Sequence, residues 1–164
     1  MEKKKVNTKK ISGIGLMIAL AFVLSYIESM MPINIGIPGF SNIVVIFSLY
    51  VYSPLTAFGI AIVRIILVGL TFGNFASLMY SFAGGMLSFV IMYVLRRLDL
   101  FSVNGVSVAG GVSHNIGQII VAMLVLKTKL LIYYLPALII SGMIAGIVVG
   151  ILLIKRIGRY MNEM

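Results

Sequence analysis

The sequence predicts an all-α polytopic membrane protein built as a six-transmembrane-helix bundle, and three observations carry that expectation. Of its 164 residues 61% are hydrophobic and only 10% charged, and the mean hydropathy of +1.15 lies far above that of a soluble domain. Long apolar runs, broken by glycine, proline or basic residues, leave about six segments near the roughly 20 residues that a bilayer crossing needs. The thirteen Lys and Arg residues gather at the ends of those runs. Lys3, Lys4, Lys5, Lys9 and Lys10, then Arg96 and Arg97, then Lys155, Arg156 and Arg159 fall on one side of a six-span chain, with only Lys127 and Lys129 in a loop on the other. The positive-inside rule therefore puts both termini in the cytoplasm of a protein in the cell membrane. Residues 1–10 form a basic cytoplasmic segment, 11–156 a single transmembrane domain and 157–164 a cytoplasmic tail. The net charge of +9 is accounted for by topology and implies no nucleic acid.

The first span runs from about Ile11 to Met31, with Gly15 and Ala19 as a small-xxx-small pair that permits close approach of another helix, and with Glu28 near its far end. It lacks a small-residue cleavage site and is too long for a signal peptide. Pro32 to Phe40, with two prolines and two glycines, cannot be regular helix and is expected to fold down as an apolar cover over the bundle. The second span, about Asn42 to Tyr52, is short for a crossing. Ser53-Pro54 then supplies an N-cap and an N1 proline for the third span, about Leu55 to Leu70, which carries Arg64. A turn at Thr71 to Asn74 leads to the fourth, about Phe75 to Leu95, in which Ser77, Ser81 and Gly85 form one ridge and Gly84 and Ser88 its neighbour. The fifth, about Val106 to Leu126, contains the stretch SVAGGVSHNIGQ, Ser107 to Gln118, with the only histidine of the chain. Helical spacing places Ser107, Gly110 or Gly111, His114 and Gln118 along one ridge with Asn115 beside it. Tyr133 and Tyr134 suit an interfacial belt, and Pro136 the first turn of the last helix, whose Gly142, Gly146 and Gly150 repeat a GxxxG face.

Alternating the spans places the strong polar groups in depth. Arg64 lies roughly 9 Å, Gln118 about 12 Å and His114 about 18 Å from the outer ends of their helices at 1.5 Å per residue. Glu28, Asn42, Asn74, Ser77 and Ser81 also fall in the outer half, and the inner half is apolar apart from its charged cytoplasmic ends. A polar cluster confined to one half describes a pocket, because a continuous channel needs polar lining throughout. The structural alternative is that Glu28 pairs with Arg64 and the amides staple helices, without a ligand. Each charge costs about 2.5 to 3.5 kcal/mol at a span centre, and one ion pair does not explain the amides around it.

Catalysis has little to stand on. The chain has four acidic residues, one histidine and no cysteine, with Asp99 its only aspartate. It therefore offers no aspartate-rich motif for magnesium and diphosphate, no zinc ligand set and no GxxxxGK[ST] loop. No metal and no cofactor is expected, and the eleven methionines suit adaptable apolar packing.

The pattern Ser25-x-x-Glu28, Pro32, Pro38-Gly39, Asn42-Ile43-Val44, Arg64-x-x-Leu67, Ser81-x-x-Gly84-Gly85-x-x-Ser88, His114-Asn115-x-Gly117-Gln118 and Tyr134-Leu135-Pro136 resembles the Gx transporter family, often labelled heptaprenyl diphosphate synthase component I. The resemblance covers about Ile11 to Lys155. The chain departs from it between Pro38-Gly39 and Asn42, where only Phe40-Ser41 stand in place of several residues including a lysine. The resemblance implies a fold similar to the S components of energy-coupling factor (ECF) transporters, which capture a small solute in an outward pocket and rely on a separate transmembrane subunit and ATPases. On that basis Glu28, Asn42, Arg64, Ser81, His114, Asn115 and Gln118 are the expected solute-binding residues. Gly15, Ala19, Gly142, Gly146 and Gly150 are expected to serve helix packing or partner docking. The other implied role is that of a non-catalytic membrane component or scaffold beside a prenyl diphosphate or quinone-related enzyme, or an electron-transfer partner.

Overall fold

The computed structural model describes residues 8–30 and 41–162. Its elements are α1 (Thr8–Met30), α2 (Asn42–Val51), α3 (Pro54–Thr71), α4 (Phe75–Leu98), α5 (Val103–Val125), a short 3-10 turn (Leu130–Tyr134) and α6 (Leu135–Asn162), with no strand among the described residues. The segment expected to cover the bundle, Pro32 to Phe40, lies outside those residues. Five of the helices are long and apolar enough to cross a membrane, and large apolar side chains such as Leu16, Leu55, Leu70, Phe75, Leu124 and Ile151 face outward. Such an apolar exterior suits lipid rather than water. The chain is a multi-pass membrane protein.

Local chemistry sets the helix ends. Ser53 Oγ accepts from Thr56 N at 3.2 Å with Pro54 in the first turn of α3, as the sequence predicts. Asn74 and Ser77 form a reciprocal capping box on α4, at 2.8 and 2.9 Å. Asp99 ends α4 in the left-handed region at φ 52°, a conformation that aspartate tolerates better than most residues. Ser102 caps α5. The Arg96 guanidinium donates to the Leu49 carbonyl in the last turn of α2 and lies 4.9 Å from the Tyr50 ring centre, so a cation meets the negative end of that helix.

Neighbouring long helices run antiparallel, as their close approaches record. Ile65 meets Gly85 and Leu78 meets Gly69 between α3 and α4, Gly84 meets His114 between α4 and α5, and Gly111, Val108 and Asn104 meet Gly142, Gly146 and Gly150 between α5 and α6. The ends that carry Arg96, Arg97 and the C-terminus of α6 therefore lie together, and this is the basic end of the bundle.

The six helices expected are present, and the second is short, as its apolar run predicts. At ten residues, α2 rises only about 15 Å, half of the roughly 30 Å hydrocarbon core. Its C-terminus meets Arg96 at the basic end, and the residue before its N-terminus, Ser41, meets Arg64 in the middle of α3. Around α2 lies the main apolar core: Val45, Ile46 and Leu49 pack with Ala57 and Ala61 of α3, Met92 of α4, Val106 of α5, and Val149 and Leu153 of α6. The basic half is thus packed mainly with apolar side chains. The opposite half, beyond the N-terminus of α2, is where the polar groups collect.

Candidate functional site

Three helices meet at a chain of polar contacts. Ser41 Oγ donates to Glu28 Oε2 at 3.0 Å and accepts from the Arg64 guanidinium. A hydroxyl just ahead of α2 thus links a carboxylate on α1 to a cation on α3. Ser41 sits in right-handed helical geometry and makes no side-chain cap on α2; its hydroxyl is committed to the two charges instead. Arg64 and Ser41 are buried, 4% and 5% exposed. A buried guanidinium needs such partners, since uncompensated charge at this depth is costly.

These groups border a cavity of about 280 Å³. Ser25 and Glu28 reach it from α1, Arg64, Ile65 and Val68 from α3, Phe72 from just beyond the end of α3, Ser77 and Ser81 from α4, and His114 and Gln118 from α5. The α5 pair is held by its own spacing: one turn apart, Gln118 Nε2 and His114 Nε2 lie 3.1 Å from each other. The other ring nitrogen, Nδ1, is buried and has no hydrogen-bond partner among the described residues. Phe72 is flanked by Phe22 and Tyr26, with ring centres 5.3 and 4.6 Å away, so one edge of the cavity is aromatic. A wider hollow of about 1120 Å³ lies between α4, α5, the 3-10 turn and α6 and shares Ser77, Ser81 and Gln118 with the first. It is mainly apolar, and the backbones of α4 and α6 stand apart across it.

Of the residues expected at a binding site, Glu28, Arg64, Ser81, His114 and Gln118 come together on this one cavity, and Asn42 and Asn115 stand away from it. Asn115 is turned to α6, where its Nδ2 donates to the Leu138 carbonyl at 2.6 Å and reaches Ser141 Oγ at 3.5 Å. Asn42 is buried in the first turn of α2 with Nδ2 unpaired among the described residues. The cause is helical rotation: His114 and Asn115 are adjacent and about 100° apart around α5, so one faces α3 and α4 and the other α6. Asn115→Ala is accordingly expected to lower thermal stability by about 1 kcal/mol, the worth of an interhelical hydrogen bond. It should leave solute affinity unchanged, as detergent melting and binding measurements on the same variant would check.

The glycines divide in the same way. Gly142, Gly146 and Gly150 face α5 inside the bundle, which makes them packing residues of this chain. Gly15 has open space where a side chain would go, and Ala19 lies on the same exposed face of α1.

Sequence reasoning missed Ser41, the link between the two charges, along with the apolar wall of Ile65, Val68 and Phe72. The wall carried a signal, since Val68 and Phe72 follow Arg64 at i+4 and i+8 and share its face, with Ile65 beside them at i, i+3 and i+7 spacing. Ser41 carried none beyond its place before the second span.

Comparison with curated proteins and with solved structures returns no match. A family model does match, over residues 17–155, a span that takes in most of α1, all of α2 to α5 and α6 up to its basic end. The chain belongs to the family described as heptaprenyl diphosphate synthase component I.

Proposed function

We propose that this protein is the substrate-binding subunit of an ECF-type importer of the Gx kind, which captures a small solute and hydrolyses no nucleotide itself. The observation that carries the proposal is the division of the bundle into a half packed mainly with apolar side chains around α2 and a polar cavity, built on Arg64, Glu28, Ser41, His114 and Gln118, in the other. A cavity closed at one end is suited to capture; passage then requires a further movement driven from elsewhere. With the basic end in the cytoplasm of the cell membrane, the cavity faces outward. Movement of the whole subunit against a transmembrane partner with ATPases needs a surface of close approach, and the open face of α1 at Gly15 and Ala19 offers one. Gly15→Leu is expected to leave the melting temperature within a degree or two of the parent while reducing co-purification of that partner.

The family description supports a second reading, a non-catalytic membrane component that holds a prenyl diphosphate synthase. The chain's one aspartate cannot supply the aspartate-rich motifs of such an enzyme, so catalysis would rest with the companion. Native mass spectrometry on gently purified protein separates the two. A retained small solute with co-purified ATPases supports the importer subunit; a soluble synthase in stable complex, with no retained solute, overturns it.

A further inference from the structure

We infer, resting on the solute-binding reading above, that the solute is a small net-neutral zwitterion of amino acid type with an apolar arm. Its carboxylate would lie against Arg64, its ammonium towards Glu28 and its arm against Ile65, Val68 and Phe72. Three features of the cavity lead there. The first is the charge balance. Arg64 and Glu28 are one cation and one anion among the lining residues, and residues 31–40 contain no ionisable side chain. The site is neutral before anything binds, so in a low-dielectric interior a solute of net charge brings an uncompensated charge with it, whereas a zwitterion does not. A phosphate ester is disfavoured on the same ground.

The second is the unused capacity of Arg64. One terminal nitrogen donates to Ser41, and the remaining N–H groups have no acceptor among the described residues. The guanidinium lines the cavity, and its planar fork matches a carboxylate in two parallel bonds. Ser41 is also the uncapped start of α2, a half-length helix whose positive end lies beside the same cation, an arrangement that favours an anionic group there. The third is shape. Beginning beside Arg64, α3 presents Ile65, Val68 and Phe72 at helical spacing, with Phe22 and Tyr26 behind Phe72. The volume, about 280 Å³, has room for about nine water-sized groups. That is enough for an amino acid with a side chain of benzyl size.

Dissociation constants for three probes that share one apolar arm test this: L-phenylalanine, 2-phenylethylamine, which lacks the carboxylate, and 3-phenylpropanoate, which lacks the amine. Phenylalanine is expected to bind at least tenfold more tightly than either. Arg64→Gln should erase its advantage over phenylethylamine, and Glu28→Gln its advantage over phenylpropanoate. Either single-charge probe binding as well as phenylalanine overturns the inference. Failure of all three while the purified protein retains a solute of net charge overturns it and leaves the binding-subunit reading standing. Failure of all three with no solute retained overturns both.

Discussion

Gly117→Val and Gly142→Val are each expected to leave little folded protein. A Cβ at Gly117 would lie 2.9 Å from the Ala83 carbonyl oxygen and 2.9 Å from the Gly84 Cα, and one at Gly142 would lie 2.8 Å from the Gly111 oxygen and 2.9 Å from Asn115 Nδ2. Most of these neighbours are backbone atoms, which move only if a whole helix moves. Overpacking a tight core costs typically about 1 to 3 kcal/mol. Here separation of α5 from α6 would also stretch the Asn115 hydrogen bond to Leu138, and separation of α4 from α5 that of Ser88 to Gly110 at 2.8 Å. Gly59→Val serves as the control, because that glycine has open space around it. Monodisperse yield and melting temperature in detergent should fall sharply for the first two variants and stay near the parent for the third.

The second large effect is expected at Arg64. Arg64→Gln keeps a donor in reach of Ser41 and removes the charge, so the fold should survive while affinity for the solute falls on the order of 100-fold. Truncating one member of a buried, hydrogen-bonded charge pair costs about 2 to 5 kcal/mol, and the expected loss lies within that range. If the polar chain only staples α1, α2 and α3 together, the same substitution changes melting temperature and leaves affinity untouched. Measuring both on one preparation decides between a binding and a packing role for the arginine.

Much of this arrangement is legible in the chain. Ser53-Pro54 marks the start of α3 by the chemistry of capping, and the glycine and basic interruptions mark the long helices. The depth of Glu28, Arg64, Ser81, His114 and Gln118 can be read by counting 1.5 Å per residue. What cannot be counted is rotation about each helix axis. The stretch Ser107 to Gln118 reads as one polar ridge, yet in the bundle Gly110 lies against Met92 of α4 and Gly111 against α6. His114 and Asn115 part company in the same way, because a helix packed on both sides splits neighbouring residues between partners. The half-length of α2 is visible as a short apolar run. That the residue just ahead of it, Ser41, reaches the cavity while its other end meets the basic end of the bundle is a tertiary fact, settled by where Ser41 meets Arg64 and where Leu49 meets Arg96. The repeated glycines of α6 suit an inner and an outer neighbour equally by sequence, and only the contact with α5 decides.

Whether the polar half of the bundle holds a solute is tested most directly by purifying the parent protein and Arg64→Gln side by side in mild detergent, denaturing both, and quantifying released small molecules by mass spectrometry. The expected result is one solute near equimolar amount from the parent and little from the variant, with both proteins folded and monodisperse and the parent melting higher because its solute is bound. Equal release from both, or none from either, would contradict the assignment of this cavity as the binding site.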